Sequence, residues 1–596
     1  MNKKDIKHIP YGISDFDLFR KGNYYFIDKT PFIRNIEEKG NFLFLIRPRR
    51  FGKSLFLGVI EAYYDIYQKD RFDYLFDGTY IHKNPTTEKN NFMVLKLNFS
   101  EVDADVSMVK ESFLLYIKES VYGFVLKYEK YLDIDPKEAK IEINQRNSAS
   151  DVLRKLISYC TGKRNKLYII IDEYDNFANT IISEVGDQEF QKITHGQGFL
   201  RSFFNVIKAG TTGSDSPISR LFMTGVSPIT LDDVTSGFNI ASNISLHNDL
   251  NEIVGFTRDE IEEMVDYYRQ TGKISHSTPI LLDIMSRWYN HYRFSLYATK
   301  EVFNSVHVLY FLQEYMLNSR IPTEMIDRNV MIDYNKLRHL IIIDKKGSSH
   351  TNGNFSRLRQ IIENGFIHSH IIKGFPITKL IAPENFTSLL YYFGLLTIDG
   401  IDETNEAILK IPNESIKRLF YDYIKETYEE TGIFSLNFSS YDPFIKEMAF
   451  NGQWRPLIEF LANRIDDSLG LRDLITGEKS IQAMLNVYLG LSDLFFVSSE
   501  KELNKGFADL VLEPFLSQYP SIKYSYIIEI KYIKPSDYAN VKAGEKLVQH
   551  MIEEAKTQLK QYGEDQLFLN SIGSTTLIKL ILIFSGTKLI HYSECN

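Results

Sequence analysis

The chain has 596 residues, with 69 Lys plus Arg against 77 Asp plus Glu, a formal charge of −8, and 44% apolar side chains. At roughly 150 residues per domain this length suits about four units and excludes a single small module. The acidic balance excludes a protein whose whole surface serves as a polyanion glue, so any nucleic-acid contact must come from a local basic groove.

With 33 Gly and 17 Pro, long low-complexity linkers are not expected. No fixed-period repeat is present, which removes solenoids and propellers. Cys160 and Cys595 are the only cysteines, too few for a disulfide framework or a cysteine zinc site. The basic start lacks an apolar stretch behind it, and no run approaches about 18 uninterrupted apolar residues. These features point to a soluble, cytoplasmic protein with no membrane partner.

In chain order, the apolar run Phe42 to Ile46 leads through a short basic turn into a helix-length segment ending near Tyr64. Further apolar runs at Phe92 to Leu97, Leu167 to Ile171 and Arg220 to Thr224 alternate with helical-period stretches. Short buried strands alternating with helices predict an α/β domain with a parallel sheet covered on both faces. After Gly255 the pattern turns helical, and Thr257-Arg258-Asp259-Glu260 is a capping-box sequence. Thr387 to Phe393, Leu395 to Asp399 and Ala407 to Ile411, with a helix opening at Glu414, read as a winged-helix-like unit. No basic recognition helix stands out there, so a structural spacer is the simpler reading. The C-terminal part predicts a second α/β module: a helix near Gly477 to Leu491, strands at Phe507 to Leu512 and Tyr526 to Tyr532, a helix at Glu545 to Tyr562, and a strand at Thr576 to Phe584.

Arg47-Pro48-Arg49-Arg50-Phe51-Gly52-Lys53-Ser54 follows a strand and opens a helix, the context of a phosphate-binding loop. In that reading Arg49, Arg50, Phe51 and Gly52 line the loop, Lys53 reaches the β and γ phosphates of ATP, and Ser54 ligates Mg2+. Asp172 and Glu173 end the buried strand Leu167 to Ile171: the first would hold the magnesium shell and the second would polarise water. Thr224 stands where a γ-phosphate sensor would lie, and equally where an ordinary strand end would. Arg293 is either a residue reaching the nucleotide from the helical segment or an ion-paired surface arginine. The three loop arginines have phosphate as the simplest use of their charge, with nucleic acid as the other.

Together with Ile9-Pro10-Tyr11-Gly12, Tyr25-Phe26-Ile27-Asp28-Lys29-Thr30 and Ile171-Asp172-Glu173-Tyr174-Asp175, this loop resembles the divergent AAA-ATPase-like proteins common in bacteria and their mobile elements. The resemblance spans about the first 290 residues. It implies an AAA-type P-loop ATPase domain at 1–255 and a helical lid at 256–345, followed by the winged-helix-like region at 346–435. Arg47 replaces the usual first glycine of the loop, a substitution found in that family.

In the rear module, Asp509 lies on one strand while Glu529 and Lys531 share a face of the next, with Ile528 and Ile530 turned to the core. Carboxylates on adjacent strands can bind a hard divalent cation, and a neighbouring lysine can stabilise a reacting phosphate. An Asp followed about 20 residues later by Glu-x-Lys resembles the PD-(D/E)XK nuclease superfamily, implying a connector and nuclease-like domain at 436–596. The resemblance adds Glu478 as a metal-shell residue on the preceding helix, and Gln558 and Tyr562 on the following one. The expected function is an ATP-hydrolysing protein whose nucleotide state gates a magnesium-dependent nuclease, with DNA as partner, and a homo-oligomer left open. The alternative is a nucleotide-dependent switch that binds nucleic acid or protein without cutting. The resemblance suggests a setting in defence against, or maintenance of, mobile elements. No Gly-x-Ser-x-Gly elbow supports a serine hydrolase. His368-Ser369-His370 shows no third ligand nearby and reads as surface rather than metal site. Lys3-Lys4 and Lys345-Lys346 read as solvated.

Overall fold

The computed structural model describes residues 6–103, 105, 107–176, 198–213, 215–228, 240–327, 353–376, 379, 382–430, 434–468, 475, 477–539 and 541–595. Lys3-Lys4 and Lys345-Lys346 lie outside them. The chain divides into two compact units, residues 1–354 with 368–413, and residues 355–367 with 414–596. No helix among the described residues is long and apolar enough to cross a membrane.

The first unit is built on strands β1 (Phe42–Ile46), β2 (Phe92–Asn98), β3 (Lys166–Asp172), β4 (Ile218–Gly225) and β5 (Ser242–Asn243), in the order β2-β3-β4-β1-β5. All neighbours run parallel. The four long strands match the apolar runs of the sequence, and their residues are buried almost throughout because helices cover both faces. β5 is only two residues long and carries no apolar pattern. Helix Lys53–Tyr64 packs on β2 and β3, burying nine side chains or glycines.

Helices Arg258–Gln270, Thr278–Tyr289 and Ser305–Asn318 follow. The capping box forms as expected: Thr257 N donates to Glu260 Oε2 at 2.7 Å and Glu260 N to Thr257 Oγ1 at 3.4 Å. Both oxygens of that glutamate also receive Lys29 Nζ at 2.8 Å, so the N-terminal Asp28-Lys29-Thr30 segment is tied to helix Arg258–Gln270. Short strands β6 (Phe366–Ser369), β7 (Thr397–Ile401) and β8 (Ala407–Lys410) come next, with helix Pro383–Tyr392 between β6 and β7, and β7 and β8 pair antiparallel. Helix Glu414–Glu430 continues the expected order but belongs to the second unit.

The second unit holds β9 (Phe495–Leu503), β10 (Gly506–Pro514), β11 (Tyr524–Ile533), β12 (Thr576–Ser585) and β13 (Lys588–Cys595), in the order β13-β12-β11-β10-β9. β11 and β12 are parallel and the other neighbours antiparallel. The parallel step requires a crossover, supplied by helix Val541–Tyr562, whose Ala555 and Leu559 pack against Ala508, Val511, Ile527 and Ile581. Helix Glu478–Gly490 packs against β9, β10 and β11.

Candidate functional site

The phosphate loop leaves the C-terminal end of β1 in the first unit. Gly52 has φ of 93°, a left-handed conformation that a side chain would strain, and Lys53 opens the helix directly behind it. Lys53 Nζ donates to the carbonyls of Arg47 at 3.0 Å and Pro48 at 2.8 Å, so it lies along the inside of its own loop. Burial pushes its pKa below the ordinary lysine value, while Asp172 and Glu173 pull it back up. Ser54, half-buried, takes the next helical position.

Two residues of the loop depart from the sequence reading. Arg47 does not face a ligand: it is 1% exposed, and its guanidinium donates to the carbonyls of Ile46 at 2.9 Å, Ser245 at 2.7 Å and Leu250 at 2.9 Å. It also lies 4.5 Å over the Phe294 ring, and burial lowers its pKa to about 10. Phe51 offers only its main chain, because its ring is 1% exposed and packs edge-on against Tyr292 and Phe294. Arg49 and Arg50 remain half-buried: Arg49 Nη2 donates to Asn176 Oδ1 at 3.4 Å, and the Arg50 carbonyl accepts from Ser305 Oγ and Val306 N, each at 3.2 Å.

Asp172 ends β3, 2% exposed, and accepts Thr224 Oγ1 at 2.6 Å and the Glu173 amide at 3.0 Å, both on Oδ1. Thr224 thus reaches the site through Asp172. Glu173 sits at φ 48°, a backbone conformation costing about 1–3 kcal/mol that is found where geometry is over-determined by its surroundings. Burial raises its carboxyl above the ordinary range, opposed by Lys53 and Arg49. Asp175, to which the sequence reading gave no role, accepts the amides of Val226 at 3.0 Å and Ser227 at 2.5 Å, and so fixes the chain leaving β4. Gly225, directly before them, leaves room for their bonding, since a Cβ there would lie 2.2 Å from Tyr174 Cε1 and 2.7 Å from Asp175 Oδ1. Arg293 turns away from the loop and pairs with Glu301 Oε1 at 3.1 Å and the Asp399 carbonyl at 3.1 Å, the ion-paired alternative of the sequence reading.

The rear trio comes together in the second unit. Leu510 lies opposite Ile528 across β10 and β11, which puts Asp509 beside Glu529. Asp509 Oδ2 accepts the Ile530 amide at 2.6 Å, and Lys531 Nζ donates to Glu529 Oε1 at 2.8 Å. Glu529 Oε2 is buried without a hydrogen-bond partner among the described residues. Glu478 begins helix Glu478–Gly490, near enough for its charge to act on Asp509 and Lys531.

Burial, Glu529 and Glu478 together push the Asp509 carboxyl up to about 8, and burial raises Glu529 and Glu478 as well. Asp509 and Glu529 bring two carboxylates to adjoining strand positions, one with an orphaned buried oxygen, the oxygen donors a hard divalent cation takes, while Glu478 acts on them by charge without closing a three-acid cluster. Without an ion, the folded chain keeps a proton on the Asp509–Glu529 pair that the unfolded chain, with ordinary carboxylates at about 4, releases. Between about pH 4 and 8 the folded state therefore binds more protons, and stability falls as pH rises. In chelator, the melting temperature is expected to decline from pH 5 to 8, and Asp509→Asn to flatten that decline. An identical slope in both proteins would show that Asp509 is not the titrating group.

Gln558 and Tyr562 line the following helix. Gln558 Oε1 is buried without a partner among the described residues, while Tyr562 OH donates to the Phe507 carbonyl at 3.0 Å and braces β10. The sequence reading missed Gln482, which is 2% exposed and donates to the Asp509 carbonyl at 2.7 Å and to Glu500 Oε1 at 3.1 Å. It stands one helical turn after Glu478, a spacing that could have marked it.

The chain is similar to several known proteins. An uncharacterized protein in the vnfD 5′ region of Azotobacter chroococcum mcd 1 is 26% identical over 332 residues, which are 54% of this chain and 56% of that protein. The chain thus spans just over half the length of that relative. Among solved structures, the Aeropyrum pernix ORC1 protein in complex with DNA aligns at a TM-score of 0.27 and 10% identity, over 67% of this chain and 93% of that one. The ORC2 protein of the same organism, in ADPNP–ADP complexes, aligns at a TM-score of 0.30 and 10% identity over the same shares. Residues 10–235 match the family model described as predicted AAA-ATPase, and residues 476–594 match that of the PD-(D/E)XK nuclease superfamily. The chain therefore joins an AAA-ATPase-like region to a PD-(D/E)XK nuclease superfamily domain in one polypeptide.

Proposed function

We propose that the chain is a cytoplasmic ATPase that controls a magnesium-dependent nuclease acting on DNA. The observation that carries the reading is the meeting of Asp509, Glu529 and Lys531 on adjoining strands, with Glu529 Oε2 buried and without a partner among the described residues. Asp509 and Glu529 would hold the ion, and Glu478 would add its negative charge nearby. A divalent cation there, when bound, activates water and neutralises charge on the scissile phosphate. Lys531 keeps Glu529 ionised and places a positive charge beside the phosphate oxygens. Gln482 fixes the main chain of Asp509 and so the direction of its carboxylate.

In the first unit, Lys53 exchanges loop carbonyls for phosphate oxygens, Ser54 and Asp172 hold magnesium, and Glu173 orients the attacking water. Thr224 holds Asp172 in place. Control by nucleotide is supported by the direct bonding of the loop to the helical segment: Ser305 Oγ and Val306 N to the Arg50 carbonyl, and Gly255 N to the Phe51 carbonyl at 2.9 Å. A change in the loop must move these contacts.

The test incubates the purified chain with supercoiled plasmid, Mg2+ and ATP, with chelator as control, comparing parent, Glu529→Gln and Lys531→Ala. Cleavage by the parent alone is expected. Cleavage that survives both substitutions refutes the site, and plasmid retention without cleavage by the parent refutes nuclease action in favour of a binding switch.

A further inference from the structure

A second cluster of metal-binding side chains lies in the first unit, apart from both sites above. On and just after β6, His368 and His370 flank Ser369, which is 5% exposed and bonded through Oγ to Thr387 Oγ1 at 2.6 Å. Because alternate side chains of an extended segment face opposite ways, the inward serine turns both imidazoles outward on one face. Sequence alone shows no third ligand near this pair. The structure brings two, from the turn between β7 and β8: His368 Nδ1 lies 2.6 Å from Asp402 Oδ2, and His370 Nε2 lies 3.4 Å from Glu406 Oε1.

Asp402 is aimed rather than loosely placed. Its Oδ1 accepts Thr404 N at 2.8 Å, Thr404 Oγ1 at 2.7 Å and Glu406 N at 2.9 Å, which leaves Oδ2 directed at the histidine. Its own amide donates to the Glu406 carbonyl at 3.0 Å and closes the turn, so the two carboxylates are held on one side. One ligand atom from each of His368, Asp402 and Glu406 lies within 4.8 Å of the others. Tetrahedral zinc with bonds of about 2.1 Å needs ligand atoms about 3.4 Å apart, a difference that side-chain rotation covers for these three, and His370, which contacts Glu406 but stands outside that group of three, must swing in as the fourth.

We propose that His368, His370, Asp402 and Glu406 bind a zinc-type divalent ion that clips β6 to the β7–β8 turn. Two imidazole nitrogens and two carboxylate oxygens form a four-ligand set of borderline softness, suited to Zn2+ or Co2+ rather than to the all-oxygen shells of Mg2+ and Ca2+. The bonding of Asp402 within its turn is the kind of outer support that holds a ligand oxygen in one direction. All four side chains are accessible to solvent, so an ion can enter without unfolding.

The test is a titration of tag-free protein with Co2+, read by visible d–d absorption and then by displacement with Zn2+. One equivalent is expected to give the spectrum of a low-coordinate nitrogen and oxygen site. That spectrum should persist in an Asp509→Asn/Glu529→Gln background, which removes the rear carboxylates. His368→Ala, His370→Ala and the conservative Glu406→Gln should each weaken Co2+ binding by about tenfold or more. Unchanged binding in the histidine variants, loss of the spectrum in the Asp509→Asn/Glu529→Gln background, or no uptake by the parent would each overturn the assignment. In the last case the four groups are two ordinary His–carboxylate pairs.

Discussion

Replacing Lys53 by alanine is expected to reduce ATP turnover by about 10²–10³-fold or more, the usual cost of removing a fixed charge aimed at a reacting centre. The residue is 7% exposed and its ammonium is bonded to the inner carbonyls of the loop, bonds that an entering phosphate would replace. Two effects act in the same direction. The substitution removes a positive charge from beside Asp172 and Glu173, whose repulsion of a polyphosphate is then uncompensated. It also leaves the Arg47 and Pro48 carbonyls without the ammonium that they bind. Phosphate release measured at saturating ATP checks turnover, and fluorescent-nucleotide binding separates loss of affinity from loss of chemistry. Equal turnover in variant and parent would place the nucleotide site elsewhere.

The second large effect concerns Glu529. Glu529→Gln keeps the volume and one carbonyl oxygen but removes the charge that holds both an ion and Lys531. Loss of a metal ligand's charge in such a site is worth about 4 kcal/mol, or roughly a thousandfold in cleavage rate. Stability should move the opposite way. In the ion-free protein Glu529 is a buried carboxylate that raises Asp509 by repulsion, and one of its oxygens has no partner among the described residues. Neutralising it removes a cost of folding, so the melting temperature in chelator should not fall and is expected to rise. Activity lost together with stability would instead point to a structural role.

The central strands of both sheets were legible because they are buried on both faces and read as continuous apolar runs. The edges were not. β9 runs into Ser-Ser-Glu-Lys-Glu and β13 mixes Lys, His, Ser and Glu with apolar residues, the half-exposed composition of strands with one open side. Residues whose role follows from local spacing, such as Gly52 and Lys53 at a strand-to-helix turn or Glu529 and Lys531 on one strand face, could be placed in advance. Arg47 could not, because the carbonyls of Ser245 and Leu250 and the Phe294 ring that hold it come from distant parts of the chain. The same holds for His368 and His370, whose carboxylate neighbours arrive only when the β7–β8 hairpin folds back.

The burial of Arg47 has a consequence for how the protein handles its ligand. A glycine at that position would leave the start of the loop free to sample many shapes, and capture of a triphosphate would then have to freeze them. A guanidinium bolted to three main-chain oxygens has done that freezing during folding, so little conformational entropy is left to lose on binding. Such a cradle accepts its guest as a rigid socket. If nucleotide controls the chain as proposed, its effect is expected where the loop's far side meets the start of helix Ser305–Asn318, through the Arg50 carbonyl.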